Sequence, residues 1–219
     1  MPVGIYLEAG SKRVFVSAAE WPGWCRSGKN EAAALEALAA AGSRYAAVAR
    51  RAGLTFKPAA AKDFKVLERL PGSATTDFGA PGAIAKAEAR PLTAAGADRM
   101  EALLRAGWKT LDEVVRRAPP ELRKGPRGGG RDRDQIAGHV LDAEGAYATR
   151  IGVRLKPPPA DDGKAVAQWR DALIAGLRAA REEAAEGGGK RWPPAYAARR
   201  IAWHALDHAW EIEDRRPEA

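Results

Sequence analysis

The chain contains three histidines, His139, His204 and His208, and their spacing is the first sign of chemistry in the sequence. His204 and His208 are four residues apart, which on a helix places both rings on one face, one turn apart. Neutral imidazoles are common ligands of zinc, nickel, iron and copper, so this pair could share one ion. A third imidazole from another helix would leave coordination positions open for water or a substrate.

Apolar residues surround each histidine at helical spacing. Ile201 and Ile212 share the face of the paired histidines, and Ile136 lies three residues before His139. The sequence therefore predicts that all three imidazoles point toward one apolar interior. The competing interpretation is that they only pack in a core, which is the commoner role of a single histidine on an apolar face. The pattern alone leaves both interpretations open.

Carboxylates near the histidines are candidates for supporting or catalytic roles. Glu211 and Asp207 each follow one of the paired histidines by three residues. Either could orient an imidazole or act as a general base toward a bound water. Asp142 and Glu144 flank the face of His139 in a similar way. Ordinary surface ion pairs with neighbouring arginines are the alternative for all four acids.

Four helices are predicted to position these side chains. Apolar residues recur at steps of three and four, and prolines and glycines bound the segments. The predicted helices cover residues 93–118, 132–151, 163–186 and 194–214. Four helices of this length are typical of a four-helix bundle. The Gly-rich basic loop 123–131 precedes the second helix and is either a solvated linker or a site that recruits an anionic substrate.

The first third of the chain has a different pattern. Runs of β-forming residues at 4–9 and 13–18 are joined by a Gly-Ser-Lys turn, which predicts a hairpin. Asn30 is the expected N-cap of an Ala-rich helix over 31–52, and residues 64–67 are expected to form a last strand.

These patterns predict an α+β fold with two domains. Residues 1–72 form a small α+β domain and residues 92–219 form the helical bundle. Residues 73–91 are rich in proline and glycine and have little periodicity, so we interpret them as a linker or an irregular excursion over the surface.

Composition limits the class of protein. The chain has 219 residues, 46% of them hydrophobic and 29% charged, which are ordinary values for a globular protein. We expect neither a membrane span nor a signal peptide, and the single Cys25 favours a reducing cytoplasm and a structural cysteine. The net charge is +8, but the arginines are scattered and often lie beside acids, so nucleic-acid binding is not favoured.

Two motifs in the second half resemble the DinB/YfiT-like superfamily of four-helix bundles. They are G-H-V-L-D-A-E at 138–144 and W-H-A-L-D-H-A-W-E-I-E-D-R at 203–215. The resemblance covers about 90–215 and implies that His139, His204 and His208 bind one divalent metal, often zinc or nickel. It also implies a thiol-dependent S-transferase or isomerase, in which the metal holds the thiolate of a low-molecular-weight thiol. Hydrolysis by a metal-bound water is the other familiar use of such a site.

The first half resembles HicB-like antitoxin domains, which have a β-β-β-α-β arrangement. The matching stretch is W-P-G-W-C-R-S-G at 21–28, followed by the helix that begins E-A-A-A-L-E-A-L at 31–38. Full HicB antitoxins usually carry a DNA-binding module next, whereas here a helical segment follows. The resemblance therefore implies a homodimer or a protein partner at this domain rather than a repressor.

Together these features predict a cytoplasmic, metal-dependent enzyme that acts on a small molecule as a thiol-dependent S-transferase or a hydrolase. The alternative is a non-catalytic regulatory or protein-interaction module, in which the metal is structural or absent.

Overall fold

Alternating apolar residues build a four-stranded sheet in the first third of the chain. The computed structural model describes residues 2–125, 129–185 and 191–217. In sequence order, the strands are β1 (Val3–Ala9), β2 (Val14–Ala18), β3 (Cys25–Gly28) and β4 (Phe64–Pro71). Helices follow the sheet, so the predicted mixed α+β class is confirmed.

The strand order across the sheet is β3-β2-β1-β4. β1 and β2 form the predicted antiparallel hairpin, with Leu7 opposite Val16. β4 runs parallel to β1 on its other side, which requires a crossover connection. Two helices and a 3₁₀ turn join β3 to β4, and Leu38 of the first helix packs with Ile5 of β1 in one hydrophobic core.

The segment predicted as one helix over 31–52 forms two helices, α1 (Glu31–Ala40) and α2 (Gly42–Arg51). The break falls at Ala41, directly before a glycine that disfavours the helical interior. Pro58 lies so close to Gly42 that an added Cβ there would be 3.1 Å from the proline Cβ. The sequence pattern carried no sign of this long-range contact.

The four long helices lie close to their predicted limits. A short helix, α3 (Ala74–Phe78), comes before them. The long helices are α4 (Ala94–Arg117), α5 (Arg133–Arg150), α6 (Gly163–Ala185) and α7 (Pro194–Asp214). None of the helices in the described part of the chain combines the length and the apolar content that a membrane span needs.

α4 and α7 each contribute to two hydrophobic cores. Leu104 and Ile201 pack in the core between the long helices. Leu103, Leu206 and Trp210 point the other way, into the core beneath the sheet. α7 is therefore buried on most of its circumference, with the sheet half on one side and the other long helices on the other.

Residues 73–91, which we call the strap, include the short helix α3 and pack into the protein. Thr76, Ala85 and Glu88 of the strap are buried. Buried polar residues need hydrogen-bond partners, so the strap has to be held by specific contacts.

Buried charges on β1 and α7 hold the strap. Glu8 accepts a hydrogen bond from the backbone N–H of Ala83 at 2.9 Å. Arg199 donates from Nη2 to the carbonyl oxygen of Ala83 at 2.8 Å, and Arg200 donates from Nη1 to that of Pro81 at 2.8 Å. The strap therefore joins the sheet to α7.

A fully buried carboxylate, Glu144, lies in the core between the long helices. Its oxygens accept from the indole N–H groups of Trp108 at 2.7 Å and Trp169 at 3.3 Å. Burial raises the pKa of Glu144, although the nearby Arg170 guanidinium and the two indoles oppose the shift. The folded protein therefore favours the protonated carboxyl more than the unfolded chain does.

We predict that two substitutions of Glu144 differ in their effect on the stability of the protein. Glu144→Leu leaves two buried indole N–H groups without an acceptor, so it should be less stable than Glu144→Gln by about 2 kcal/mol. The raised pKa means that the wild type loses stability as the pH rises above the usual carboxyl pKa of about 4.3, a loss that the glutamine variant lacks. Urea unfolding at about pH 5 and about pH 8 gives the free energy of unfolding of each protein. Relative to the wild type, the glutamine variant should be more stable at the higher pH than at the lower one. If the free energies of unfolding of the wild type and the glutamine variant differ by the same amount at both pH values, the raised pKa of Glu144 is contradicted.

Candidate metal centre

The fold brings the three histidines of the chain together. His139 comes from α5, and His204 and His208 come from successive turns of α7. One ring nitrogen from each residue can be chosen so that all three lie within 4.8 Å of one another. His204 is 7% exposed, whereas the other two are half-buried, so the cluster lies at the edge of the core. This position leaves one side of the cluster accessible.

The spacing of the paired histidines fits a shared ion. The Nε2 atoms of His204 and His208 are 3.2 Å apart. Two nitrogens bound to zinc at about 2.05 Å with tetrahedral angles lie about 3.3 Å apart. The ring centroid of His139 is 5.0 Å from the centroid of each of the other two rings. The donor set is three nitrogens, which suits a borderline ion such as zinc or nickel.

A carboxylate fixes the orientation of His208. Nδ1 of His208 lies 2.7 Å from Oε2 of Glu211, and Nη1 of Arg215 donates to the other oxygen of Glu211 at 2.6 Å. The hydrogen bond from His208 lowers the pKa of Glu211, so this carboxylate is ionised and accepts the Nδ1 proton. Nε2 of His208 then carries the lone pair and faces the cluster.

His204 is positioned largely by packing, and the contact of its Nε2 with Nε2 of His208 at 3.2 Å is its one side-chain hydrogen-bond contact among the described residues. Its buried Nδ1 has no hydrogen-bond partner among the residues that the structure describes. The ring instead contacts Trp203 and Tyr147, with centroid distances of 5.6 and 6.0 Å. Burial, together with the charges of His208 and His139, holds the pKa of His204 well below its usual value. The ring is therefore neutral at neutral pH, the form that can bind a metal.

Arginines surround the cluster. Partial burial lowers the pKa of His139, and the charge of Arg131 acts in the same direction. Arg200 lies over the rings of Tyr147 and Trp203, and its charge also lowers the pKa of His204. The two nearby cations favour an anion beside the histidine cluster.

Arg200 was not among the predicted site residues, although a signal was present. Arg200 precedes His204 by four residues, so both side chains share one face of α7. The arginines of this segment look like a solvated surface in the sequence. The tertiary structure instead buries Arg200, which is 6% exposed, beside the histidine cluster, and it also buries Arg199.

Asp207 pairs with a residue of the sheet and does not contact a histidine as the sequence suggested. Its carboxylate accepts a hydrogen bond from Nη1 of Arg26 on β3 at 2.6 Å. Burial raises the pKa of Asp207, while the charge of Arg26 lowers it. Asp207 therefore connects the sheet to α7, and Glu211 is the acid that contacts a histidine.

Glu144 and Asp142, the two acids close to His139 in the sequence, lie in different environments. Glu144 follows His139 by five residues, which turns it about 140° around the helix and into the core. It does not support His139 as expected, because both its oxygens accept from indoles. Asp142 is exposed, and its charge weakly opposes the lowering of the pKa of His139.

Cys25 and the basic loop 123–131 are the two remaining features that the sequence singled out. Cys25 is buried and accepts a hydrogen bond from the hydroxyl of Ser17 at 3.1 Å, and burial raises the pKa of its thiol to about 12. This setting fits the predicted structural cysteine. The basic loop 123–131 includes residues 126–128, which lie outside the described residues; Lys124 pairs with Asp132 at 2.6 Å.

Comparisons with protein-family models, with curated proteins and with solved structures find no match to this chain. The DinB-like and HicB-like resemblances therefore stay predictions, and the geometry of the histidine cluster carries the functional argument.

We predict that the two acids of α7 differ in their effect on metal affinity. Glu211→Ala removes the orienting bond to His208 and should weaken zinc binding about 10- to 100-fold. Asp207→Ala is the matched control: it removes a carboxylate from the same helix and should change zinc affinity less than about threefold, because Asp207 contacts Arg26 instead of a ligand. Competitive titration with a chromophoric chelator measures both affinities. Equal losses in the two variants would contradict the assigned positions.

Proposed function

We propose that the chain binds one divalent transition metal through His139, His204 and His208, with zinc or nickel as the favoured ions. The observation that carries this proposal is the convergence of three ring nitrogens within 4.8 Å. The 3.2 Å separation of two of them supports tetrahedral ligation. Because the described part of the chain supplies three ligands, at least one coordination position is left for a small molecule, as in catalytic sites.

We further propose that the helical half is a DinB-like four-helix bundle and that the protein is a cytoplasmic enzyme. The reaction classes are thiol-dependent S-transfer, with a low-molecular-weight thiol as cosubstrate, and hydrolysis. When bound, the ion would supply Lewis acidity, which lowers the pKa of a coordinated thiol or water. Both reactive forms are anions, and the positive charges of Arg131 and Arg200 beside the histidines favour them.

The geometry gives Glu211 a positioning role in this proposal. Its two oxygens already contact His208 and Arg215. A general base needs an oxygen within hydrogen-bond reach of the proton that it removes. Glu211 therefore holds Nε2 of His208 toward the site, and its role is to fix the tautomer and the orientation of that ring.

A non-catalytic interaction module is the second proposal, and it rests on the sheet. β4 is an edge strand, and Leu67 in it is 54% exposed. Lys65 and Arg69 flank Leu67 on the exposed face, where charges limit uncontrolled strand pairing. A second copy of the chain or a protein partner could use this edge, and this role would not require a metal at the histidines.

Elemental analysis separates the two proposals. The protein, purified without chelator, should contain about one zinc or nickel ion per chain. His204→Ala should lose most of it, because two remaining imidazoles bind far more weakly than three. A wild type that contains no stoichiometric metal and takes up no cobalt(II) would rule out the metal proposal and leave the interaction module.

Thiol titration then tests the reaction class. In the cobalt(II)-substituted protein, a low-molecular-weight thiol should produce a sulfur-to-metal charge-transfer band and shift the visible spectrum. His204→Ala is the control that should give no band. An unchanged spectrum at millimolar thiol in a fully loaded protein would exclude S-transfer and favour hydrolysis.

A further inference from the structure

A cavity of about 420 Å³ lies where the sheet, the strap, α4 and α7 meet. We call it the junction cavity. Tyr6 of β1, Glu88 of the strap and Arg199 of α7 line it, and none of the three histidines does. Its volume falls in the range of small-molecule sites in proteins. The metal proposal uses no residue of this cavity.

The walls of the junction cavity are largely apolar. They include Ala18, Pro22, Leu92, Met100, Leu103 and Ala195. Leu92 and Met100 also border a smaller void of about 20 Å³ between α4, α6 and α7. Met100 has a flexible side chain, so the apolar space can extend in that direction. These walls suit the hydrocarbon part of a ligand.

One wall carries a buried cation with a free donor. Arg199 is 3% exposed. Its Nε donates to Oε1 of Glu88, and its Nη2 donates to Oε2 of Glu88 at 3.1 Å and to the carbonyl of Ala83. Its Nη1 is also buried and has no hydrogen-bond partner among the residues that the structure describes. The guanidinium also lies 5.4 Å from the ring centroid of Tyr6 and 5.0 Å from that of Tyr196, so residues of the protein enclose this cation.

A second arginine stands at the rim of the junction cavity. The guanidinium of Arg99 lies 4.2 Å from the ring centroid of Trp21, and its Nη2 donates to the backbone carbonyl of Glu20 at 3.2 Å. Stacking and this hydrogen bond hold the cation at the opening. The Glu20 residue is exposed, so solvent screens its carboxylate. Glu88 is already paired with Arg199, which leaves Arg99 as the charge that an entering anion meets.

From this arrangement we infer that the junction cavity binds a small amphiphilic carboxylate, such as a medium-chain alkanoate. The carboxylate accepts from Arg99, and the hydrocarbon chain lies against Leu103 and Met100. Arginine presents several N–H donors that match a carboxylate, which an alcohol of the same length cannot use in the same way. The site is separate from the histidine cluster and stands whether or not the chain is an enzyme.

Octanoate is the probe for this site, measured by isothermal titration calorimetry and by the ¹³C signal of carboxyl-labelled octanoate. Binding should be saturable with one octanoate per chain, and 1-octanol should bind at least about tenfold more weakly. Arg99→Gln should weaken octanoate binding about fivefold or more without affecting the buried ion pair. His204→Ala should bind octanoate like the wild type, because the histidines do not line the cavity.

A matched pair in the strap separates cavity binding from surface association. Ala87 lines the cavity and Ala89 does not, and both are exposed residues of the same turn. Ala87→Phe should fill the opening and weaken octanoate binding at least about tenfold, whereas Ala89→Phe should stay within about twofold of the wild type. Thermal unfolding confirms that both variants fold. Non-saturable binding, equal effects of the two substitutions, equal affinity for 1-octanol, or loss of binding in His204→Ala would each overturn the proposal.

Discussion

The enclosure of α7 (Pro194–Asp214) is the constraint on which the rest of the structure depends. This helix lies between the sheet half and the other long helices, and it is buried on most of its circumference. It nevertheless carries arginines, acids and two histidines. A buried polar group without a partner is costly, so most of these side chains pair either within the helix or with a neighbouring element.

The partners of α7 tie the two halves of the protein together. Arg199 and Arg200 hold carbonyl oxygens of the strap, and Asp207 pairs with Arg26 of the sheet. Replacing Arg199 would also leave the buried carboxylate of Glu88 without its partner, which destabilises more than the loss of the contact itself. These contacts join the sheet half directly to the helical half.

The same enclosure sets the chemistry of the candidate metal centre. His204 is desolvated and neutral because it lies between Trp203, Tyr147 and the neighbouring imidazoles. His208, closer to the surface, is oriented by Glu211 instead. A helix that faces a packed core on one side and an accessible edge on the other can thus hold two ligands in fixed positions and still leave an approach for a small molecule.

The sequence by itself determined the long helices and the shared face of His204 and His208. Periodicity and capping act within a few residues, and the caps expected at Asn30 and Thr93 accept from the first-turn N–H groups as such local rules require. The mixed α+β class follows from the same local signals.

Only the tertiary structure decided which acid serves which partner. Glu211, Asp207 and Glu144 look equivalent in the sequence, yet one contacts His208, one pairs with Arg26 and one is enclosed by two indoles. The same holds for the break at Gly42, the burial of the strap and the junction cavity. Each arises where segments far apart in the chain meet, and the pattern of one segment carries no record of the partner that packs against it.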